Sequence, residues 1–118
     1  MRCYLVEDLL DADLKKIADT LDELQLRGPL DGIYYLPLPE NLLQPEQTAH
    51  LDECGPFFMA LELVEGASDM SECQVRLELL VRARNKIRCS CVAYATPDQR
   101  RHMIDYLDQF LNGLGIAA

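Results

Sequence analysis

The sequence lacks several features that would assign the protein to a broad functional class. No stretch of the 118 residues approaches the roughly 20 apolar residues that a membrane-spanning helix requires. The first residues, MRCYLVEDLLD, place acidic side chains where a signal peptide needs its apolar segment. We therefore expect a cytoplasmic protein that does not associate with membranes.

Motifs for nucleotide binding are also missing, and basic residues are scarce. The six glycines are scattered and form no glycine-rich phosphate loop. Eleven lysines and arginines face 20 acidic residues, which gives a formal net charge of −9. Such a chain repels a phosphate backbone, so nucleic acid is not an expected partner. The bases concentrate after residue 75, which favours an acidic protein or a small anionic ligand as a local partner.

The cysteines do not form a disulfide framework. There are five, an odd number without framework spacing, which favours free thiols in a reducing compartment. No low-complexity tract or linker divides the chain, and its length suffices for a hydrophobic core. We therefore predict a single globular domain over residues 1–118.

Three segments have the pattern of helices. Apolar residues recur at helical spacing over residues 11–27, ahead of a glycine–proline pair that would end the helix. A proline at a first-turn position and a glycine at the far end predict a short helix from Pro45 to Cys54. The last helix begins with a capping box, in which Thr96 and Gln99 satisfy each other's backbone N–H groups.

Alternation of apolar and polar residues predicts the strands. Residues 33–36 and 57–64 are strands, and residues 73–96 have the pattern of a β-hairpin. Residues 1–6 form either a strand or the start of the first helix, and residues 66–72 form a polar loop. Consecutive strands with two amphipathic helices predict an α+β two-layer sandwich. We expect a mainly antiparallel sheet of four or five strands, two main helices on one face, and one short helix in a connection.

The hairpin register determines which side chains face the helices. A three-residue turn, Arg84–Lys86, makes one face wholly apolar, because facing residues of an antiparallel pair share a face. This turn would pair Ala83 with Ile87, Val81 with Cys89, and Leu79 with Cys91. The cysteines would then lie under the helices.

The second face of the predicted sheet has the form of a partner surface, an apolar patch with a charged rim. Its residues would be Phe58, Ala60, Leu80, Val92, Tyr94, Arg76, Arg82 and Arg88. Arg82 and Arg88 would lie opposite each other. We expect a homodimer at this face, since two-fold dimers are the commonest oligomers, although the chain's own N-terminal strand or short helix would also suffice to cover it.

The spacing Cys89-x-Cys91 places two sulfurs on one side of a strand, which is half of a zinc site. The remaining ligands would come from His50, Cys54, Cys73 or His102. His50 and Cys54 are one helical turn apart. Burial of Cys89 and Cys91 as small apolar residues is the preferred interpretation, so no metal and no cofactor are predicted.

Three functional hypotheses follow from these observations. The first is a non-enzymatic homodimeric binding module, with an adaptor or chaperone-like role, that uses the second sheet face. The second is a thiol or metal protein that uses Cys89 and Cys91 with His50 or His102. The third is a small enzyme with a pocket between sheet and helices, in which His102 lies one turn from Asp98 as a general-base pair. No nucleophile motif accompanies that pair.

Overall fold

A computed structural model describes residues 2–66 and 72–116. The strands are β1 (Cys3–Leu9), β2 (Ile33–Pro37), β3 (Phe57–Val64), β4 (Cys73–Glu78), β5 (Leu80–Ala83) and β6 (Ala93–Tyr94). The helices are α1 (Asp11–Glu23), α2 (Pro45–Ala49), α3 (Leu51–Cys54) and α4 (Pro97–Gly113). The strand pairs are antiparallel, which confirms the predicted α+β fold.

Strand β3 is the centre of the sheet. One of its edges pairs with β2. Its other edge pairs with β5 at residues 57–58 and with β4 at residues 61–64. Leu61 lies opposite Leu77 whereas Phe58 lies opposite Arg82, so the register shifts by two residues around Leu79. An even shift keeps alternate side chains on the same face. Strands β1 and β6 pair with the outer edges of β4 and β5.

The hydrophobic core lies between one face of this sheet and helices α1 and α4. The alternating residues of β4 and β5 point into it, as predicted: Val75, Leu77, Leu79, Val81 and Ala83 are all buried. Helix α1 contributes Leu14, Ile17 and Leu21, and helix α4 contributes Met103, Leu107 and Leu111. The helices therefore bury their apolar stripes against the sheet, which is the layer arrangement expected from the sequence.

The start of α4 agrees with the boundary predicted from the sequence, whereas the end of α1 does not. Thr96 Oγ1 accepts from Gln99 N at 3.1 Å, and Gln99 Oε1 accepts from Thr96 N at 3.0 Å, which confirms the capping box. Helix α1 ends at Glu23 and not at residue 27. Gln25 there has a φ of 60° and Leu26 N donates to Leu21 O, so the backbone turns off before the glycine.

The secondary structure of residues 3–9 and 45–54 is more definite than the sequence predicted or differs from the prediction. Residues 3–9 are a strand, and the helix expected over residues 45–54 divides at His50 into α2 and α3. Most of the predicted polar loop at 66–72 lies outside the described residues. Across residues 2–66 and 72–116, no helix combines the length and apolarity that crossing a membrane demands.

The predicted hairpin register is wrong. Val81 lies opposite Ala93 and Leu80 opposite Tyr94, so residues 84–92 form a nine-residue connection and not a tight turn. The backbone N–H groups of Arg84 and Asn85 donate to Pro56 O and Cys54 O, which takes this segment out of the sheet. Consequently Cys89 and Cys91 do not face Val81 and Leu79, and Arg88 does not face Arg82.

Candidate metal centre

Two segments that are distant in the sequence bring His50, Cys54, Cys89 and Cys91 together. One ligand atom from each residue can be chosen so that all four lie within 4.8 Å of one another. His50 Nδ1 is 3.2 Å from Cys89 Sγ and 3.9 Å from Cys54 Sγ. Zinc bonds of about 2.3 Å to sulfur and 2.0 Å to nitrogen in a tetrahedron separate neighbouring ligand atoms by about 3.5 to 3.8 Å. The cluster therefore has the dimensions of a tetrahedral site.

Helix α3 and the residues beside it position the first two side chains. Cys54 N donates to His50 O at 2.8 Å, and the four-residue spacing places both side chains on one side of this turn. The helix ends at Cys54, and at the following Gly55 an added Cβ would lie 2.7 Å from Leu51 O. A larger residue at Gly55 would therefore clash with the turn that carries Cys54.

The connection at residues 84–92 positions the other two side chains. Asn85 anchors its start, because its N donates to Cys54 O at 2.9 Å and its Nδ2 donates to Gly55 O at 2.6 Å. Val92 N donates to Cys89 O at 3.1 Å, which closes a turn around Ser90 and brings both cysteines to one side. Residues 44–56 and 84–92 together are called the Cys/His corner below.

Two buried glutamines connect the Cys/His corner to helix α4 through hydrogen bonds. Gln47 Nε2 donates to Cys91 O at 3.2 Å, and Gln99 Nε2 donates to Gln47 Oε1 at 3.1 Å. Gln99 is also the partner of Thr96 in the capping box of α4. Hydrogen bonds through Gln47 therefore connect the turn around Cys91 to the start of that helix. Among the described residues, no buried side-chain nitrogen or oxygen lacks a hydrogen-bond partner.

The three sulfurs have different acidities. The backbone N–H of Cys91 lowers the pKa of the Cys89 thiol to about 6, with further hydrogen bonds from Cys91 Sγ, His50 and Cys54. Burial raises the pKa of Cys91 to about 12 and also raises the pKa of Cys54. Zinc binds cysteine as the thiolate, so metal binding would have to displace the protons of the thiols whose pKa is raised.

The structure assembles four of the six ligand candidates named from the sequence. Cys73 is buried elsewhere and donates to Asp11 Oδ1 at 2.9 Å, while His102 is exposed on α4 and is not part of the cluster. The preferred interpretation of Cys89 and Cys91 as core residues holds in part, since Cys91 is buried and Cys89 is half-buried. Burial does not exclude ligation, because closed zinc sites are themselves buried. The role of Gln47 and Gln99 has no sequence signal beyond the capping box.

The structure places some residues of the predicted outer face together and others elsewhere. Phe58, Ala60 and Arg82 lie on the sheet face away from the helices, and Leu80 pairs there with Tyr94. Val92 instead packs against the core, and Arg88 lies in the exposed connection.

A groove of about 290 Å³ crosses this outer face. Its lining residues are Cys3, Ile33, Tyr35, Ala60, Glu62, Arg76, Glu78 and Arg82. Tyr35 stacks on Phe58 with ring centroids 3.8 Å apart, which buries Phe58 without a covering helix.

Chemically, the Cys/His corner offers one nitrogen and three sulfur donors, the set that zinc prefers. With all four positions supplied by the protein, such a site has no open position for a substrate, so it is structural in type. No protein-family model, no curated protein and no solved structure matches this chain.

Proposed function

We propose that the protein binds one Zn²⁺ ion at a structural centre formed by His50, Cys54, Cys89 and Cys91. The observation that supports this proposal is the convergence of four ligand atoms within 4.8 Å of one another. Soft thiolates and an imidazole disfavour calcium and magnesium, which take oxygen ligands. No carboxylate ligand is needed, because each of the four residues offers one donor atom.

The metal would hold together two segments that the sheet does not pair. Residues 84–92 leave the β-ladder after β5 and return to it only at β6. A zinc ion bound to both segments cross-links the connection to α3 and fixes its conformation. Binding energy of a structural zinc ion is folding energy for the segments that it joins.

The test is the zinc content of protein purified without chelator and without a histidine tag. We expect one zinc per chain, and loss of zinc in the variants Cys54→Ser and Cys91→Ser. Cys3→Ser and Cys73→Ser are matched controls, because these cysteines lie outside the cluster and should leave the zinc content unchanged. A folded wild-type chain without zinc, or equal loss in Cys3→Ser, would contradict the proposal.

A second candidate function is a cytoplasmic, non-enzymatic interaction module that dimerises through the outer sheet face. The groove combines an apolar floor with paired charges, Arg76 with Glu62 at 3.7 Å and Arg82 with Glu78 at 2.7 Å. Tyr94, at the edge of this face, is 47% exposed. An exposed apolar patch with a polar rim is typical of an interface.

The charges of this face favour a second copy as its occupant. A pocket at one end of the face is lined by four acidic residues and one basic residue: Glu7, Asp8, Glu65, Glu72 and Arg76. Toward the other end the guanidinium groups of Arg2 and Arg84 rest on the rings of Tyr94 and Tyr35, at 4.3 and 5.4 Å from the centroids. A two-fold axis across the strands would place the cationic end of each copy against the acidic end of the other.

Light scattering tests this dimer. We expect a dimer at high micromolar concentration that weakens with salt, and a monomer in Ala60→Glu, which puts a charge into the groove. Leu24→Glu is the control, because Leu24 is half exposed at the end of α1, away from the groove. A strict monomer would contradict the dimer. If that monomer bound an acidic peptide or a small anion, the outer face would be a site for one of those partners and not for a second copy.

A further inference from the structure

We propose that the Cys89 sulfur is a site of oxidation by a peroxide, and that oxidation joins Cys89 to a second cysteine of the cluster and expels the zinc. The zinc-release step rests on the proposed function. The sulfur chemistry requires only the cysteines and the peroxide, so the zinc proposal and the oxidation proposal can fail separately.

Among the three cysteines of the cluster, exposure selects Cys89 as the sulfur that a peroxide meets first. Cys54 is 0% exposed and Cys91 is 1% exposed, whereas Cys89 is half-buried and lies between the exposed residues Arg88 and Ser90. The described segment 84–92 contains no helix or strand. Peroxide in solvent therefore reaches Cys89 without unfolding of the core.

Two further sulfurs are in place to react with the oxidised Cys89. The Sγ atoms of Cys54 and Cys91 belong to the same group of ligand atoms, all within 4.8 Å of one another. A disulfide requires an S–S distance of about 2.05 Å, so the two sulfurs must move closer together as the bond forms. Cys3 is exposed but is not a member of this group, so it lacks a cysteine of the cluster beside it.

The reaction balances with one peroxide and two thiolates. The Cys89 thiolate attacks a peroxide oxygen, which forms an S–O bond, breaks the O–O bond and releases hydroxide from hydrogen peroxide. The thiolate of Cys54 or Cys91 then attacks the Cys89 sulfur, so that an S–S bond forms and a second hydroxide leaves. The two sulfurs together lose two electrons, peroxide gains them, and the hydroxides take protons from solvent to give water.

Loss of two thiolates leaves zinc with one sulfur and one imidazole. A site with half of its ligands no longer retains a structural zinc ion against solvent. The Cys/His corner is then a reversible redox site, in which a disulfide replaces the metal and a thiol reductant restores the metal-binding thiolates.

The experiment treats zinc-loaded wild-type protein with one equivalent of hydrogen peroxide and follows three quantities. A zinc indicator should report release of one zinc per chain, thiol titration should show loss of two of the five thiols, and peptide mapping should find Cys89 in the disulfide. Dithiothreitol and zinc should restore the starting state. The control Cys3→Ser should behave like wild type.

Three results would overturn the proposal. These are zinc release with all thiols intact, oxidation of Cys3 while the cluster survives excess peroxide, and a disulfide that omits Cys89. The same treatment of metal-free protein separates the two ideas. If the chain never binds zinc but still forms a disulfide with Cys89, the proposed function fails and the oxidation site stands.

Discussion

The sheet–helix core and the Cys/His corner are stabilised in different ways. In the core, helices α1 and α4 and the inner sheet face each contribute several fully buried apolar side chains. In the corner, short helical turns and an irregular connection are joined by hydrogen bonds from individual residues such as Asn85 and Gln47. The core therefore depends on a repeated pattern, whereas the corner depends on single residues and, in our proposal, on a metal ion.

Removal of zinc should have the largest effect and should open the corner alone. At a free zinc concentration about a thousand times Kd, binding stabilises the bound form by about 4 kcal/mol. Hydrogen-exchange mass spectrometry with and without a chelator should show faster exchange over residues 84–92 and unchanged exchange in β3 and α4. Equal loss of protection in both regions would mean that the corner and the core are one cooperative unit.

Leu107→Ala should do the reverse and destabilise the core. Leu107 is 0% exposed on α4, so truncation leaves a cavity and should lower the free energy of unfolding by about 3 kcal/mol. Denaturant unfolding measures this loss. Leu24→Ala, at a position that is 50% exposed, is the matched control and should have a small effect. Zinc affinity of the folded Leu107→Ala protein should remain that of wild type; a large drop would show that the two regions are coupled.

Gln47→Ala tests the connection between the regions. It removes the donor to Cys91 O and the acceptor of Gln99 Nε2. Gln99 Nε2 keeps its bond to Leu42 O, whereas the buried Cys91 O loses its donor. This loss should cost about 2 kcal/mol, and zinc affinity should fall by about 10- to 100-fold, as for other residues that orient metal ligands. Titration with zinc against a competing chelator measures the affinity. Gln109→Ala, on the exposed side of α4, should change neither quantity.

The smallest effect is expected for Tyr4→Phe, at a partly buried residue of β1 that packs against the core. Tyr4 Oη donates to Asp108 Oδ1 at 2.7 Å, and this bond raises the pKa of Tyr4 from 10.0 to about 12. The protonated form is favoured in the folded state, so the stabilisation is complete below the lower value and is lost as pH rises toward the higher one. The substitution should cost about 1 kcal/mol at neutral pH.

Unfolding measured from neutral pH to the alkaline range checks this sign. Wild type should lose its advantage over Tyr4→Phe as the pH rises from 10.0 to about 12. An advantage that grows over this range would contradict the assignment of the hydrogen bond.

Sequence periodicity predicted the core well, because each of its elements repeats one rule several times. Strand β3 spans Phe57–Val64 and the capping box at Thr96 starts α4, as the sequence indicates. The prediction of the hairpin register failed because the alternation of apolar and polar residues continues through residues 87–92, although their backbone lies outside the sheet. Hydrogen bonds to Cys54 and Pro56, about 30 residues earlier in the chain, decide the path there, and no local pattern records them.

The candidate site was predictable in composition but not in assembly. The spacings His50-x-x-x-Cys54 and Cys89-x-Cys91 each place two ligands side by side, so the pairs could be named from the sequence. That the two pairs meet depends on the connection at residues 84–92 and on Gln47, which are tertiary features. The dimer at the outer face stays a prediction.

The most direct test of the zinc proposal is X-ray absorption spectroscopy at the zinc edge of protein purified without added metal. The four-residue site predicts three sulfur atoms at about 2.3 Å and one nitrogen atom at about 2.0 Å from the ion. A first shell of oxygen and nitrogen alone, or one with fewer than three sulfurs, would contradict binding by His50, Cys54, Cys89 and Cys91.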